Sequence, residues 1–486
     1  MAIAILNLAC TEFLWIIGVY HFILQLVSPS LQFAQRTSAL ENGSVALLYL
    51  TKNDFVELAA LSCVQQQYAS FHVYLLDDSD NADVRRKIDR FHDQHFEDTT
   101  LIRRSSHCGY KAGNLNHALS QIHWNHDFFA IADADTRLPP SFLTEALSYF
   151  ADQRVGFVQA LHRTSSENVA SSLSSALVPF TELYWRGIVL RSCQIGFVMF
   201  HGHGGVIRMQ AWRDVGGFPE VVSEDLAFST AIRQRGYRGV IAGKTVCDEE
   251  FPSTYRAFCR RQRKYVRGAC EHLTHGMAGF VTCRSVPLFE RIDRCVGTMV
   301  LLAPCVAAFS LIALAVTPAG VNRRFAAALV GAITTNMCLG MQLPAVRTLW
   351  REPLSLLKFM LCSSIVHLSL TFRATYDFIK TAATGSNTFP VTGDPCGDST
   401  STKPWFDMFI DVIGLGVCSL VLVRVSAYGA VPIAIALFIG IALQLVGEVQ
   451  SQAEGSETMR TAIKDPGGHF PADLAMRDGS SSPLPL

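Results

Sequence analysis

Several things are missing from this sequence, and each absence excludes something. Neither sign of charge is in excess, because 41 Lys and Arg are matched by 41 Asp and Glu. No basic surplus draws the chain to nucleic acid, which is not expected as a partner. The 14 cysteines include no CxxC pair and no His/Cys spacing typical of zinc. They read as reduced thiols and small apolar fillers. No Lys or Arg precedes Arg36, so the basic leader of a cleaved signal peptide is absent. Long apolar runs are also missing from the middle of the chain, up to about residue 297.

What is present sits at the two ends. Hydrophobic residues make up 49% of the chain. Residues 2–27 form one apolar run, interrupted by Glu12 and His21, of the roughly 20-residue length that a bilayer core requires of a helix. A retained anchor (residues 1–35) is therefore expected, with residue 36 onward in the cytosol. Residues 297–318, 325–346, 405–425 and 427–447 read as further spans. The stretch 353–380 carries Lys358, His367, Arg373, Asp377 and Lys380. It reads as an interfacial amphipathic helix, with a sixth span as the alternative. The tail 448–486 is rich in Gly, Ser and Pro and reads as disordered. A multi-pass protein of the plasma (inner) membrane, with lipid as a partner, is expected.

Residues 36–260 alternate strand-like and helix-like pieces. Such alternation predicts a sheet covered by helices on both faces, with ligands at the carboxyl ends of the strands. Two acidic clusters fall at predicted strand ends, Asp77-Asp78 in LLDDSD and Asp133-Ala-Asp135 in FFAIADADTRL. In a strand, residues i and i+2 face the same way. Asp133 and Asp135 would then repel each other, and Mg²⁺ or Mn²⁺ relieves such a pair. A solvated turn after a strand is the plainer reading of a lone DxD.

Five motifs in order make the DxD more specific: LLDDSD (75–80), GYKAGNLNHAL (109–119), ADADTRLPPSFL, GGFPEVVSEDLAFSTAIRQRGYRG (216–239) and RRQRKYVRG (260–268). Over roughly residues 40–400 the chain resembles the membrane-embedded family 2 glycosyltransferases, the group of the cellulose, hyaluronan and curdlan-type synthases. That resemblance implies an α/β GT-A catalytic domain with a Rossmann-like mixed sheet, set between transmembrane and interfacial helices. It implies that Asp77 or Asp78 contacts the nucleoside and Lys111 the phosphates. Asp133 and Asp135 would hold Mg²⁺ or Mn²⁺, with Asp135 the direct ligand, and Asp225 would be the general base beside Glu224. In RRQRKYVRG, the family's Q-x-x-R-W becomes Arg261, Lys264 and Tyr265, within interfacial helices at 261–296. A cation for the departing diphosphate and a ring for the acceptor sugar remain. NTFPVTGD (387–394) resembles a gating loop over the nucleotide, placing Thr392 there within a loop at 385–400 of the membrane region 297–447. MFHGHGGVIRM (199–209) falls where the family has an acceptor-site segment. His203 and Trp185 are therefore expected near the acceptor.

The resemblance implies a processive, inverting enzyme. It would polymerise a β-linked polysaccharide, a β-glucan from UDP-glucose, and pass it through the membrane. The partners are then a UDP-sugar donor, the growing glycan and an accessory export subunit. The alternative is a non-processive transferase that puts one sugar on a lipid acceptor.

Overall fold

A computed structural model describes residues 43–165, 176–190, 196–252, 254–316, 323–338, 349–384 and 404–446, with isolated positions 16, 19, 20, 23, 193, 345 and 346. Its centre is a seven-stranded sheet of order β3-β2-β1-β4-β6-β5-β7. The strands are β1 (Val45–Thr51), β2 (Phe71–Asp77), β3 (Thr99–Ile102), β4 (Phe128–Ala132), β5 (Val155–Thr164), β6 (Gly205–Arg208) and β7 (Arg238–Glu249). β1 pairs in parallel with β2 and β4, and β2 with β3. β6 runs antiparallel to both β4 and β5, while β5 and β7 are parallel. The sheet is therefore mixed, as expected.

The pleat explains why the strands are apolar throughout. Val45, Leu47 and Tyr49 of β1 lie with Phe128, Ala130 and Ala132 of β4 in one core. Ala46, Leu48 and Leu50 lie with Phe129 and Ile131 in the core on the other side. With both faces covered, neither register position tolerates a polar residue, so alternation gives way to a continuous apolar run. Polarity returns only where the strands stop. The chain order places β1 between β2 and β4, which reverses direction of winding there. Thr51 ends level with Asp77, and Tyr49 is level with Ala132. Both acidic clusters thus flank the carboxyl end of β1, at the switch point where open α/β sheets receive ligands.

Beyond the sheet, the helix Tyr255–His275 carries RRQRKYVRG and packs on the helix Thr371–Thr384. Two helices, Trp405–Arg424 and Tyr428–Val446, are long and apolar enough to cross a membrane. The pairs Leu288–Leu301 with Ala303–Ala315, and Pro353–Ser369 with Thr371–Thr384, pass the same test jointly but bend by 57° and 43°. The stretch read as one interfacial helix is thus two helices with a break. Most of residues 1–35, Thr392 with the loop 385–400, and the tail lie outside the described residues.

Charged groups tie the Tyr255–His275 helix to the C-terminal helices. Arg263 reaches Asp377 through Nε and Asp407 through Nη1 at 2.8 Å. Arg267 Nη2 donates to the same Asp377 at 2.7 Å. Asp377 is fully buried. Removing one partner from a buried ion cluster leaves uncompensated charge, which costs about 3–5 kcal/mol. Asp377→Ala is expected to lower the unfolding free energy of the detergent-solubilised protein by that order, and its thermal midpoint with it. Asp83→Ala, in the exposed Arg86–Asp83 pair, should change stability by less than about 1 kcal/mol. Equal midpoints for the two variants would contradict this account.

Candidate active site

The first acidic cluster is already engaged. Asp77 accepts from Arg103 Nε at 2.6 Å and from the backbone N–H of Ser79 at 2.8 Å. Asp78 takes a two-pronged contact from Arg104, Nε to Oδ1 at 2.9 Å and Nη2 to Oδ2 at 2.6 Å. Arg104 also donates to the carbonyls of Cys108 and Tyr110. The pair therefore fixes the entry to the helix Tyr110–Ile122, which begins after Gly109 at φ +73°.

That helix delivers Lys111. Its ammonium donates to Asp133 and, at 3.1 Å, to the carbonyl of Gly202. Glu224 Oε1 is 3.9 Å away. Burial works against the ammonium, but Asp133 and Glu224 outweigh it and raise its pKa. Burial likewise pushes Asp133 up, yet Lys111 overrides it and the carboxyl sits below its ordinary value. Asp135 has no such cation. Burial first, then Asp133 and Glu249, push it up to about 7. The two aspartates do not lie on a continuing strand: the Thr136 N–H donates to the Asp133 carbonyl at 2.9 Å, closing a turn. A third carboxylate, Asp54, follows β1 and accepts from Thr51 Oγ1 and the Lys52 N–H. Burial raises it to about 6.

Opposite stands the helix Glu224–Gln234. Asp225 Oδ1 accepts the Leu226 N–H at 2.7 Å, so its other oxygen is left for a different partner. Burial raises both acids, and the charge of Asp225 adds to it at Glu224, which reaches about 7. The helix start is pinned from outside. Glu271 accepts the Val222 N–H at 2.7 Å. Gly268 passes so close that a Cβ on it would lie 1.8 Å from Ser223 Oγ. This packing accounts for the glycine at the end of RRQRKYVRG.

The basic strip divides. The charge of Lys264 lowers the pKa of Asp133, Glu224 and Asp225, so it faces the carboxylates. Arg261 lies over the rings of Phe251 and Phe258 at 4.7 and 5.7 Å. Arg263, which composition alone would add to a phosphate site, turns away to Asp377 and Asp407. Tyr265 is 41% exposed. Trp185 is 4% exposed and packs against His162 and His201 at 4.4 and 4.5 Å. His203 turns its two ring nitrogens to Thr136 and Glu249.

The structure thus gathers Lys111, Asp133, Asp135, Glu224, Asp225 and Lys264, with Asp77 and Asp78 at the neighbouring strand end. Sequence reasoning overlooked Asp54, Arg103, Arg104 and Glu249. Asp54 and Glu249 had a usable signal, since each is an acid at the end of an apolar strand. The donor set suits a hard divalent ion. Asp133 and Asp135 bring carboxylate donors to a spot where burial and then the charges of Asp133 and Glu249 lift Asp135, and Asp54 stands close enough to feel Asp133.

Residues 128–372 match the family described as glycosyl transferase family group 2. The chain is 27% identical over 230 residues to glucomannan 4-beta-mannosyltransferase 1 of Cyamopsis tetragonoloba, covering 46% of this chain and 43% of that one. It is 26% identical over 194 residues to the probable glucomannan 4-beta-mannosyltransferase 9 of Oryza sativa subsp. japonica, covering 39% and 36%. It therefore spans less than half the length of these curated relatives. Among solved structures it resembles the mannosyltransferase PcManGT from Pyrobaculum calidifontis in complex with GDP-Man and Mn2+. The TM-score is 0.51 and the identity 18%, over 76% of this chain and 98% of that one. The expected GT-A arrangement of a mixed sheet with helices is the observed one.

Two glycines of the 201–204 loop set a comparison. Gly202 has φ +88° and Gly204 φ +61°, a region that costs an L-residue roughly 1–2 kcal/mol. A Cβ at Gly202 would lie 3.5 Å from Lys111 Nζ and 3.7 Å from Asp225 Oδ2, whereas one at Gly204 would lie 2.6 Å from His162 Nε2. Gly204→Ala is expected to destabilise more than that strain alone. Gly202→Ala should stay within it yet lose turnover. Calorimetric unfolding with parallel rate measurements checks both, and the reverse ranking in stability would refute the geometry.

Proposed function

Because the chain belongs to glycosyl transferase family group 2, we propose that it is a membrane-embedded inverting transferase that adds β-linked mannose from GDP-mannose to a growing glycan. The mannosyl donor replaces the UDP-glucose and β-glucan suggested by the motifs. The two glucomannan 4-beta-mannosyltransferases support that change. Residues 36–260 form the catalytic domain, 261–296 its interfacial helices and 297–447 the membrane region. The helices Trp405–Arg424 and Tyr428–Val446 support a membrane setting, with the donor site on the cytosolic side and the glycan lengthened repeatedly and exported.

One observation carries the reading. Lys111 bridges Asp133 of the DxD turn and, more loosely, Glu224 beside Asp225, so acids suited to a donor diphosphate and an acid suited to the acceptor share one site. In the proposed reaction Asp225 accepts the proton of the acceptor hydroxyl as that oxygen attacks C1 of the α-linked donor sugar. The C1–O bond to the diphosphate breaks and the configuration inverts. Lys264, next to both carboxylate groups, lies where it can offset the negative charge of the leaving diphosphate. Asp135 and Asp133 would hold Mg²⁺ or Mn²⁺, which supplies charge neutralisation at the diphosphate when bound. Tyr265, partly exposed beside Lys264, offers a ring to the acceptor sugar.

Asp225→Asn is expected to lose about 10²–10⁴-fold in turnover, the usual contribution of a general base. Purified protein with Mn²⁺ should release GDP from GDP-mannose and lengthen a β-mannan acceptor. Turnover from UDP-glucose alone would overturn the mannosyl reading, and an Asp225→Asn enzyme of normal rate would overturn the base. The raised pKa of Asp225 also sets a sign for pH. A base acts ionised, so kcat/KM should fall as pH drops, and should begin to fall above the ordinary carboxylate range. Glu224→Gln, which removes the repelling charge, should move that limb to lower pH. An unmoved limb would refute the coupling.

A further inference from the structure

Behind the carboxylates lies a set of polar side chains that the proposed reaction does not use. The rings of His162 and His203 are stacked 4.4 Å apart at 35°. Both turn a nitrogen toward Glu249 Oε2, His162 Nδ1 at 3.1 Å and His203 Nε2 at 3.7 Å. The other nitrogen of His203, Nδ1, is 2.8 Å from Thr136 Oγ1, which itself accepts the Asp133 N–H at 3.2 Å. The other nitrogen of His162, Nε2, is 3.2 Å from Gln159 Nε2. Gln159 also donates to the carbonyls of His203 and Gly204 at 2.9 and 3.1 Å, and its Oε1 accepts the His201 N–H at 2.9 Å.

Thr136 Oγ1 pairs with His203 Nδ1 and accepts the Asp133 N–H, so one hydroxyl ties the ring to the turn. The amide nitrogen of Gln159 faces the carbonyls of Ala160, His203 and Gly204 as well as His162 Nε2, and its two protons are shared among them. Contacts thus run from the Asp133 amide through Thr136 to the His203 ring beside Glu249, met by Gln159 and His162 from the other side. The nitrogen and oxygen atoms of His162, His203 and Glu249 lie within 4.8 Å of one another, close enough for a metal.

We propose that His203 is a positioning residue that locks the Asp133–Asp135 turn to the 201–204 loop and to the end of β7, an inference that rests on the DxD turn being the donor-diphosphate site. Among the loop's fixings, Lys111 holds the Gly202 carbonyl, Thr136 holds the His203 ring, and Gln159 faces the carbonyls of His203 and Gly204, while backbone bonds tie Gly204 to Ile131 and Ala160. The turn is fixed at its far end too, because Arg137 and Asp248 exchange backbone hydrogen bonds at 2.9 and 3.0 Å. His203 stands between these two clamps, with Nε2 3.7 Å from Glu249, the neighbour of Asp248. The turn that bears Asp133 and Asp135 thus takes its position from side chains that never meet the donor. Partners of this kind behind metal-binding carboxylates are typically worth about 10–100-fold in metal affinity.

The test uses the full chain in detergent. Mn²⁺-dependent binding of GDP and of UDP is measured by calorimetry, with unfolding midpoint, metal content, kcat and KM alongside. Whichever nucleotide the wild type binds more tightly serves as the probe, so a wrong donor base leaves this inference standing. His203→Ala and Thr136→Val are each expected to weaken Mn²⁺-dependent binding at least about tenfold. The double variant should be little worse than the weaker-binding single, because both cut one path. His203→Gln, which keeps a donor and an acceptor, should restore part of the affinity. Unchanged Mn²⁺-dependent binding in His203→Ala would overturn the proposal, as would a lowered midpoint with no change in binding. Stoichiometric zinc lost in His203→Ala would replace it with a metal site. Failure of the wild type to bind either nucleotide with Mn²⁺ would sink the donor-site reading and this inference with it.

Discussion

Lys111 is an ammonium that Asp133 and Glu224 share, and the rest of the site is arranged around the need to keep it there. Two opposite unit charges 4 Å apart attract by about 4 kcal/mol at the effective dielectric constant of 20 that suits partly buried pairs. Desolvation opposes this, and the acids win, since Lys111 is held above its ordinary pKa. Its position demands that the helix Tyr110–Ile122 begin in one place. Arg104 sees to that by spanning from Asp78 to the carbonyls of Cys108 and Tyr110. The Gly202 carbonyl completes the ammonium's contacts, and the positive φ of that glycine is what turns the carbonyl inward. A cation, a capped turn and a glycine loop are thus interdependent, and disturbing any one shifts the balance of charge among four acids.

The sheet and the strand-end carboxylates were legible from sequence because they follow from short-range rules. Apolar runs that end in acids at 77–78 and 133–135 mark strands buried on both faces, with polarity readmitted where they stop. Pairwise assignments inside the site were harder to read. The DxD pattern suggested a strand pair facing one way, but the Thr136–Asp133 hydrogen bond makes it a turn. The hydrogen-bond partners of Lys111 at Asp133 and Gly202, and of His203 at Thr136, lie between 22 and 91 residues away in sequence. No periodicity encodes such distances, and only the folded sheet brings those partners together. Asp54 and Glu249 were missed for a different reason. Asp54 is a single acid and Glu249 lies in the run Asp248-Glu249-Glu250, and acids at the end of a strand are common on protein surfaces.

The basic strip RRQRKYVRG shows how one helix serves two tasks. Residues four apart share a helix face. Lys264 and Gly268 form one such pair, facing the carboxylates and Ser223. Arg263 and Arg267 form another, turned to Asp377. In sequence the strip is uniformly cationic, yet in the structure only part of it is available to the site. The other part joins the catalytic body to the helices that extend to Val446. Movement of those helices therefore reaches Lys264 and Tyr265 through a single rigid element, without a loop between them.

Why the wall behind the DxD turn should be polar at all has a physical answer. An apolar wall would pack as densely and cost less to bury, but it would leave the Asp133 amide and the Glu249 carboxylate without partners. Unsatisfied groups of that kind are more expensive than the network that satisfies them. A fully paired network also has directional character that dispersion contacts lack. Each hydrogen bond fixes an angle as well as a distance. Glu249, held down to about 2 despite burial chiefly because the His162 hydrogen bond offsets it, accepts from His162 Nδ1 at 3.1 Å and lies 3.7 Å from His203 Nε2. The Asp133–Asp135 turn is therefore backed by polar groups one layer behind it.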